Sequence, residues 1–269
     1  MQAHTINPMQ PIDYNDYCLE KFKNIARQYE IKPEFCQKLR QLEGFEIVIL
    51  CDDSGSMSSI VDDNNDPFGK KITRWDELRN TVNIMTEIAT TLDKNGVDIY
   101  FLNRAPIYNV SSSQQIQVAF QYPPNGYTPL AESIDKIFKE KEAIIREKKL
   151  LLIIATDGQP TDSSGNINTE IFINRLKNRP KNIYISILAC TDDNASIGYL
   201  NKIDTFVPGI DVTDDYRSEL KQIQRVQGKY FKFSFGDYVV KSLLGPIDPY
   251  FDRLDEEDEC GCLSYCQII

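Results

Sequence analysis

The run FEIVILC at residues 45–51 is continuously apolar and β-prone, the pattern of a strand covered on both faces. Comparable runs recur at 97–102, 150–155, 183–189 and, more weakly, 205–212. Between the first two, Trp75, Leu78, Val82, Met85, Ile88 and Leu92 fall at steps of three or four, which predicts an amphipathic helix with Gly96 as its C-cap. Helical spacing also covers 130–145, 169–177, 214–227 and 237–244. Strands alternating with helices of this length predict parallel crossover units. The expected fold class is therefore α/β: an open, mainly parallel sheet with helices on both faces.

Upstream, residues 13–42 carry apolar side chains at helical steps, and Pro33 separates two pieces at a position where it can open the second. We read residues 1–44 as a helical N-terminal extension, 45–245 as the sheet domain and 246–269 as a C-terminal tail. Residues 107–120 fit a short edge strand at 107–110 followed by a short helix, although Ile116, Val118 and Phe120 also alternate as in a strand.

Charge narrows the function. There are 40 Asp plus Glu against 30 Lys plus Arg, a net charge of −10, so a nucleic-acid backbone would be repelled and no nucleic-acid partner is expected. The basic stretch at 146–152 reads as a solvated helix end leading into a strand. His4 is the one histidine, which disfavours Ser/His/Asp, Cys/His and His-rich zinc chemistry. The N-terminus has no signal-peptide pattern and no apolar run approaches the ~18 residues of a membrane span, so the expected location is cytoplasmic. Seven scattered cysteines predict reduced thiols and no disulfide framework.

The candidate chemistry lies where strands end. After 45–51 comes DDSGSM, in which Asp52, Ser54 and Ser56 stand two apart and face one way on an extended backbone. Gly55 is expected to let the loop bend without a Cβ in the way. By itself this is also the composition of an ordinary polar turn. A later strand ends in the same way at Asp157 and Gly158, and between them NGYTPL presents Thr128 before Pro129. Ligands of open α/β sheets bind beyond the carboxyl ends of the strands, so three loops would offer hard oxygen donors at one edge. An all-oxygen set suits Mg²⁺ or Mn²⁺. An ion left short of one ligand could then accept an outside carboxylate.

The segments VILCDDSGSM, GYTPL and IIATDG, in this order, resemble the von Willebrand factor type A domain with its metal-ion-dependent adhesion site. The similarity covers roughly residues 45–245. It implies a Rossmann-like sheet whose top holds a divalent cation, coordination being completed by an Asp or Glu of a protein partner. The matching residues are Asp52, Ser54, Ser56, Thr128 and Asp157. Asp53 falls between motif positions and is expected to be a surface charge or one just behind the ligands. Extracellular adhesion, common among relatives, is not carried over.

Two segments stand apart. The acidic loop 58–71 has Pro67 where a calcium loop needs glycine, so it reads as an exposed loop beside the metal. At the end of the chain, Cys266 stands fourth from the last residue in a pattern resembling a prenylation box, with Cys260 and Cys262 as palmitoylation candidates. A frayed tail with incidental thiols and a Cys-x-Cys metal knuckle are the alternatives. The predicted function is a non-enzymatic interaction module that docks an acidic partner residue through a bound cation, with lipid anchoring of the tail at a membrane face as a further expectation. A metal-assisted phosphoester or ester hydrolase and a protein whose metal only stabilises the fold are the competing classes.

Overall fold

The computed structural model describes residues 14–61, 71–93, 95–200, 203 and 207–256. Its centre is a six-stranded sheet in the order β3-β2-β1-β4-β5-β6. The strands are β1 (Phe45–Cys51), β2 (Val97–Phe101), β3 (Ile107–Val110), β4 (Lys149–Thr156), β5 (Ile183–Ala189) and β6 (Ile210–Thr213). All neighbours pair in parallel except β3, which runs antiparallel to β2 at one edge. The α/β expectation holds, and the ambiguous stretch forms β3 and then a helix, Ser113–Ala119, with Ser112 and Gln115 in a reciprocal capping box.

Period-two alternation divides β1 between two cores. Ile47, Ile49 and Cys51 pack into one with the Arg74–Leu92 and Phe235–Leu244 helices. Val48 and Leu50 pack into the other with the Leu130–Glu140 and Thr169–Lys177 helices. Helices therefore cover both faces. The N-terminal helices Tyr14–Gln28 and Pro33–Lys38 join the first core: Phe35 is fully buried and meets Phe251 edge-on at 4.9 Å. Among the described residues no helix is long and apolar enough to cross a membrane.

Two expectations are corrected by local chemistry. The helix predicted over 130–145 breaks into Leu130–Glu140 and Glu142–Glu147 at Lys141, whose buried ammonium turns inward to Glu46 and Asp98 at the starts of β1 and β2. Gly96 is not the cap of the Arg74–Leu92 helix, which ends on Asp93. Its φ of +81° and its closeness to β3, where a Cβ would come within 2.5 Å of the Val110 carbonyl oxygen, explain the glycine instead. The strand expected at 205–212 is the shorter β6; residues 204–206 lie outside the described part.

A buried charge cluster closes the β6 side. Lys241, 1% exposed, lies 3.1 Å from Glu219 and 3.4 Å from Asp255. Burial alone would push its ammonium down, but Asp211, Glu219 and Asp255 outweigh burial and hold it protonated. Burial and the charges of Asp255 and Asp211 push the Glu219 carboxyl up to about 8 against the pull of Lys241.

Candidate metal centre

The connections leaving β1 and β4 diverge, the first into the Arg74–Leu92 helix on one face and the second into the Thr169–Lys177 helix on the other. Such a switch point opens a crevice beyond the carboxyl ends of the two strands. Asp52 and Asp157 are the residues at that crevice, each directly after its strand.

Asp52 extends the ladder by one step, its N–H donating to the Ala155 carbonyl at 2.9 Å. Its side chain is fully buried. Oδ1 accepts from the Ser54 N–H at 2.9 Å and Oδ2 from the Thr156 hydroxyl at 2.7 Å, so one carboxylate ties the loop after β1 to the end of β4. The Gly55–Ser58 turn follows, with the Gly55 N–H donating to the Gly126 carbonyl at 3.3 Å. Gly55 itself is not required for space or for an unusual φ, because a Cβ there would meet nothing within 4 Å. The bend comes from the tight turn, not from an absent side chain.

The hydroxyls of Ser54 and Ser56 lie 3.0 Å apart, and Ser56 Oγ donates to Asp157 Oδ1 at 2.7 Å. Thr128 comes from the third loop, fixed by its own N–H to Thr161 Oγ1 at 3.0 Å. Its hydroxyl lies beside Gly158, where a Cβ would stand 3.9 Å from Oγ1. The structure thus brings Asp52, Ser54, Ser56 and Asp157 into one hydrogen-bonded set at the carboxyl end of β1 and β4, with Thr128, from a third loop, beside Gly158.

Burial and then the charge of Asp157 push the Asp52 carboxyl up to about 6, against the hydrogen bonds from Ser54 and Thr156. Two carboxylates held this close favour a positive charge between them. Among the described residues no three His, Cys, Asp or Glu side chains assemble into a metal-binding group. This set contains two carboxylates and three hydroxyls, and its all-oxygen chemistry can hold a hard divalent ion and leave it electrophilic.

Sequence reasoning missed several residues here. Arg74 Nη1 donates to Asp157 Oδ2 at 2.7 Å while Nη2 donates to Thr191 Oγ1 at 2.6 Å. The available signal was a cation at the first position of a helix, where the macrodipole disfavours it. For Asp53, of the two expectations, a surface charge or one just behind the ligands, the second fits: it is fully buried, its Oδ1 accepts from the Asn103 N–H at 2.8 Å, and Arg104 Nε lies 3.0 Å from Oδ2. It holds the neighbouring loops in place, its carbonyl also accepting from the Asn125 N–H at 2.7 Å. Tyr199 donates its hydroxyl to the Gly158 carbonyl at 3.3 Å, closing the loop after β4. The central part of the acidic loop, residues 62–70, and the tail cysteines Cys260, Cys262 and Cys266 lie outside the described residues.

No family model and no curated protein matches the chain. Among solved structures it is similar to a pilus adhesin, SpaC of Lactobacillus rhamnosus GG, at 14% identity and a TM-score of 0.43, over 74% of this chain and 31% of that one. The chain thus spans less than a third of the adhesin's length.

Proposed function

We propose that this protein is a von Willebrand factor type A-like module that binds Mg²⁺ or Mn²⁺ and docks an acidic residue of a protein partner. The observation that carries the reading is the hydrogen-bonded chain Ser54, Ser56, Asp157 beside the buried Asp52, at the divergence of β1 and β4. Ser54, Ser56 and Thr128 would hold the ion through neutral oxygens, and Asp52 and Asp157 would balance part of its charge. A bound divalent ion supplies Lewis acidity, an open coordination position for a carboxylate from outside. The chain's own residues orient that position: Thr156 and the Ser54 N–H fix Asp52, and Ser56 fixes Asp157.

Calorimetric titration with Mn²⁺ tests this reading. The unaltered chain is expected to bind one ion, and Asp157→Ala to bind far more weakly with its circular dichroism unchanged. Equal titrations would reject the assignment. Recovery of a partner in magnesium but not in chelator is the matching test of docking. Lipid attachment at Cys266 rests on sequence alone and predicts that Cys266→Ser leaves the membrane fraction.

A further inference from the structure

Arg74 occupies an unusual place. As the first residue of the Arg74–Leu92 helix it sits at the positive end of the macrodipole, where the acidic Asp76 and Glu77 of the same turn are the favoured kind. Its guanidinium is nevertheless held on both sides, by Asp157 and by Thr191. With Ser56 on Oδ1 and Arg74 on Oδ2, both oxygens of the buried Asp157 are engaged. The arginine supplies the positive charge that two adjacent carboxylates call for.

The same guanidinium lines a cavity of about 220 Å³ between the start of its own helix, the end of β5 and the start of the Tyr216–Gln227 helix. Glu77, Asp192 and Asp215 line this space together with the cations Arg217 and Lys221, and Arg217 lies 3.4 Å from Glu77. Asp215 caps the Tyr216–Gln227 helix with Oδ1, accepting from the N–H groups of Arg217 and Ser218, while Oδ2 is shielded from solvent and finds no hydrogen-bond partner among the described residues. A cationic group turned off Asp157 therefore has a destination with unmatched acceptor capacity.

We propose that Arg74 is the chain's own counter-cation for this centre: its guanidinium and a divalent metal are alternative partners of Asp157, and the arriving ion turns the guanidinium into the adjacent cavity toward Asp215. The inference rests on the cation-binding reading above. It makes metal affinity a difference between two states of one side chain, since breaking the charge-assisted contact with Asp157 is part of every binding event. It also joins the metal centre to the cap of the Tyr216–Gln227 helix.

Calorimetry with Mn²⁺ alone, on the full chain, tests it. Arg74→Gln removes the competitor and is expected to bind about tenfold more tightly, the scale of one charge-assisted hydrogen bond. Asp215→Asn keeps the helix cap but removes the receiving charge, and is expected to bind severalfold more weakly. In the Arg74→Gln background Asp215→Asn is expected to change nothing. Lys221→Gln, which removes another cation lining the same cavity, is expected to leave affinity within about twofold because it makes no contact with Asp157. In chelator Arg74→Gln is expected to melt below the unaltered chain and to gain more from Mn²⁺. Arg74→Lys, too short to span both Asp157 and Thr191, gives an intermediate affinity and serves if the glutamine variant fails to fold.

Binding by the unaltered chain with no tightening in Arg74→Gln would overturn the role of Arg74 and leave the cation reading standing. Equal tightening in Lys221→Gln would reduce the effect to net charge and overturn it too. Absence of Mn²⁺ binding in every variant would remove the cation reading itself, and this inference with it.

Discussion

Ser56 Oγ donates to Asp157 Oδ1 at 2.7 Å, joining two loops that are 101 residues apart in the chain. The contact aligns the loop after β1 with the loop after β4 before any ligand arrives. Ser56 is exposed, so its hydroxyl contributes little to the core. Ser56→Ala is expected to weaken Mn²⁺ binding about tenfold while moving the melting temperature in chelator by no more than about 2 °C. Titration and thermal melts of the same preparation separate the two effects.

Glu219 gives a pH dependence with a defined sign. Its carboxyl is raised from 4.5 to about 8, so the folded state holds this proton more tightly than the unfolded state does. The resulting stabilisation is complete below pH 4.5 and is lost as pH rises through about 8. Glu219→Gln mimics the protonated form. The variant is expected to melt close to the unaltered chain near pH 5 and above it near pH 9, as differential scanning calorimetry across that range would reveal.

Two glycines are expected to respond oppositely to alanine. A Cβ on Gly245 would come within 2.2 Å of Asp211 Oδ2, beside the buried Lys241 cluster, whereas one on Gly55 would meet nothing within 4 Å. Gly245→Ala is expected to cost about 2 kcal/mol or more by forcing a buried carboxylate aside. Gly55→Ala is expected to fall within about 0.5 kcal/mol of the unaltered chain in urea unfolding.

The N-terminal helices are part of the folded body. Phe35 is fully buried against Phe251, and Lys32 Nζ lies over the Phe231 ring at 3.6 Å and 3.7 Å from Asp237 Oδ2. Phe35→Ala is expected to cost about 3–5 kcal/mol. A chain shortened to begin at residue 45 is expected to aggregate, since it uncovers the buried face of the Phe235–Leu244 helix; light scattering would detect this.

The strand and helix pattern was readable because every central strand is apolar on both faces and the helices carry apolar stripes. β1, β3 and β5 fall where the runs predict, and Asp52 and Asp157 fall at strand ends. What was hidden depends on side chains meeting across the fold. The break at Lys141 is set by Glu46 and Asp98, the burial of Asp53 by Asn103 and Arg104, and the place of Arg74 by Asp157 and Thr191. None of these pairings has a local periodic signature.

The ion pair between Lys38 and Asp248 at 2.6 Å, with Gln41 donating to the same carboxylate at 2.7 Å, fixes the segment before residue 256 close to where β1 begins. The oxygen cluster crowns the opposite end, where β1 and β4 finish. The molecule therefore has a polarity: the clamp on Asp248 and the oxygen cluster stand at opposite ends of the same central strands, so a partner carboxylate docked on the cluster would stay clear of the N-terminal helices.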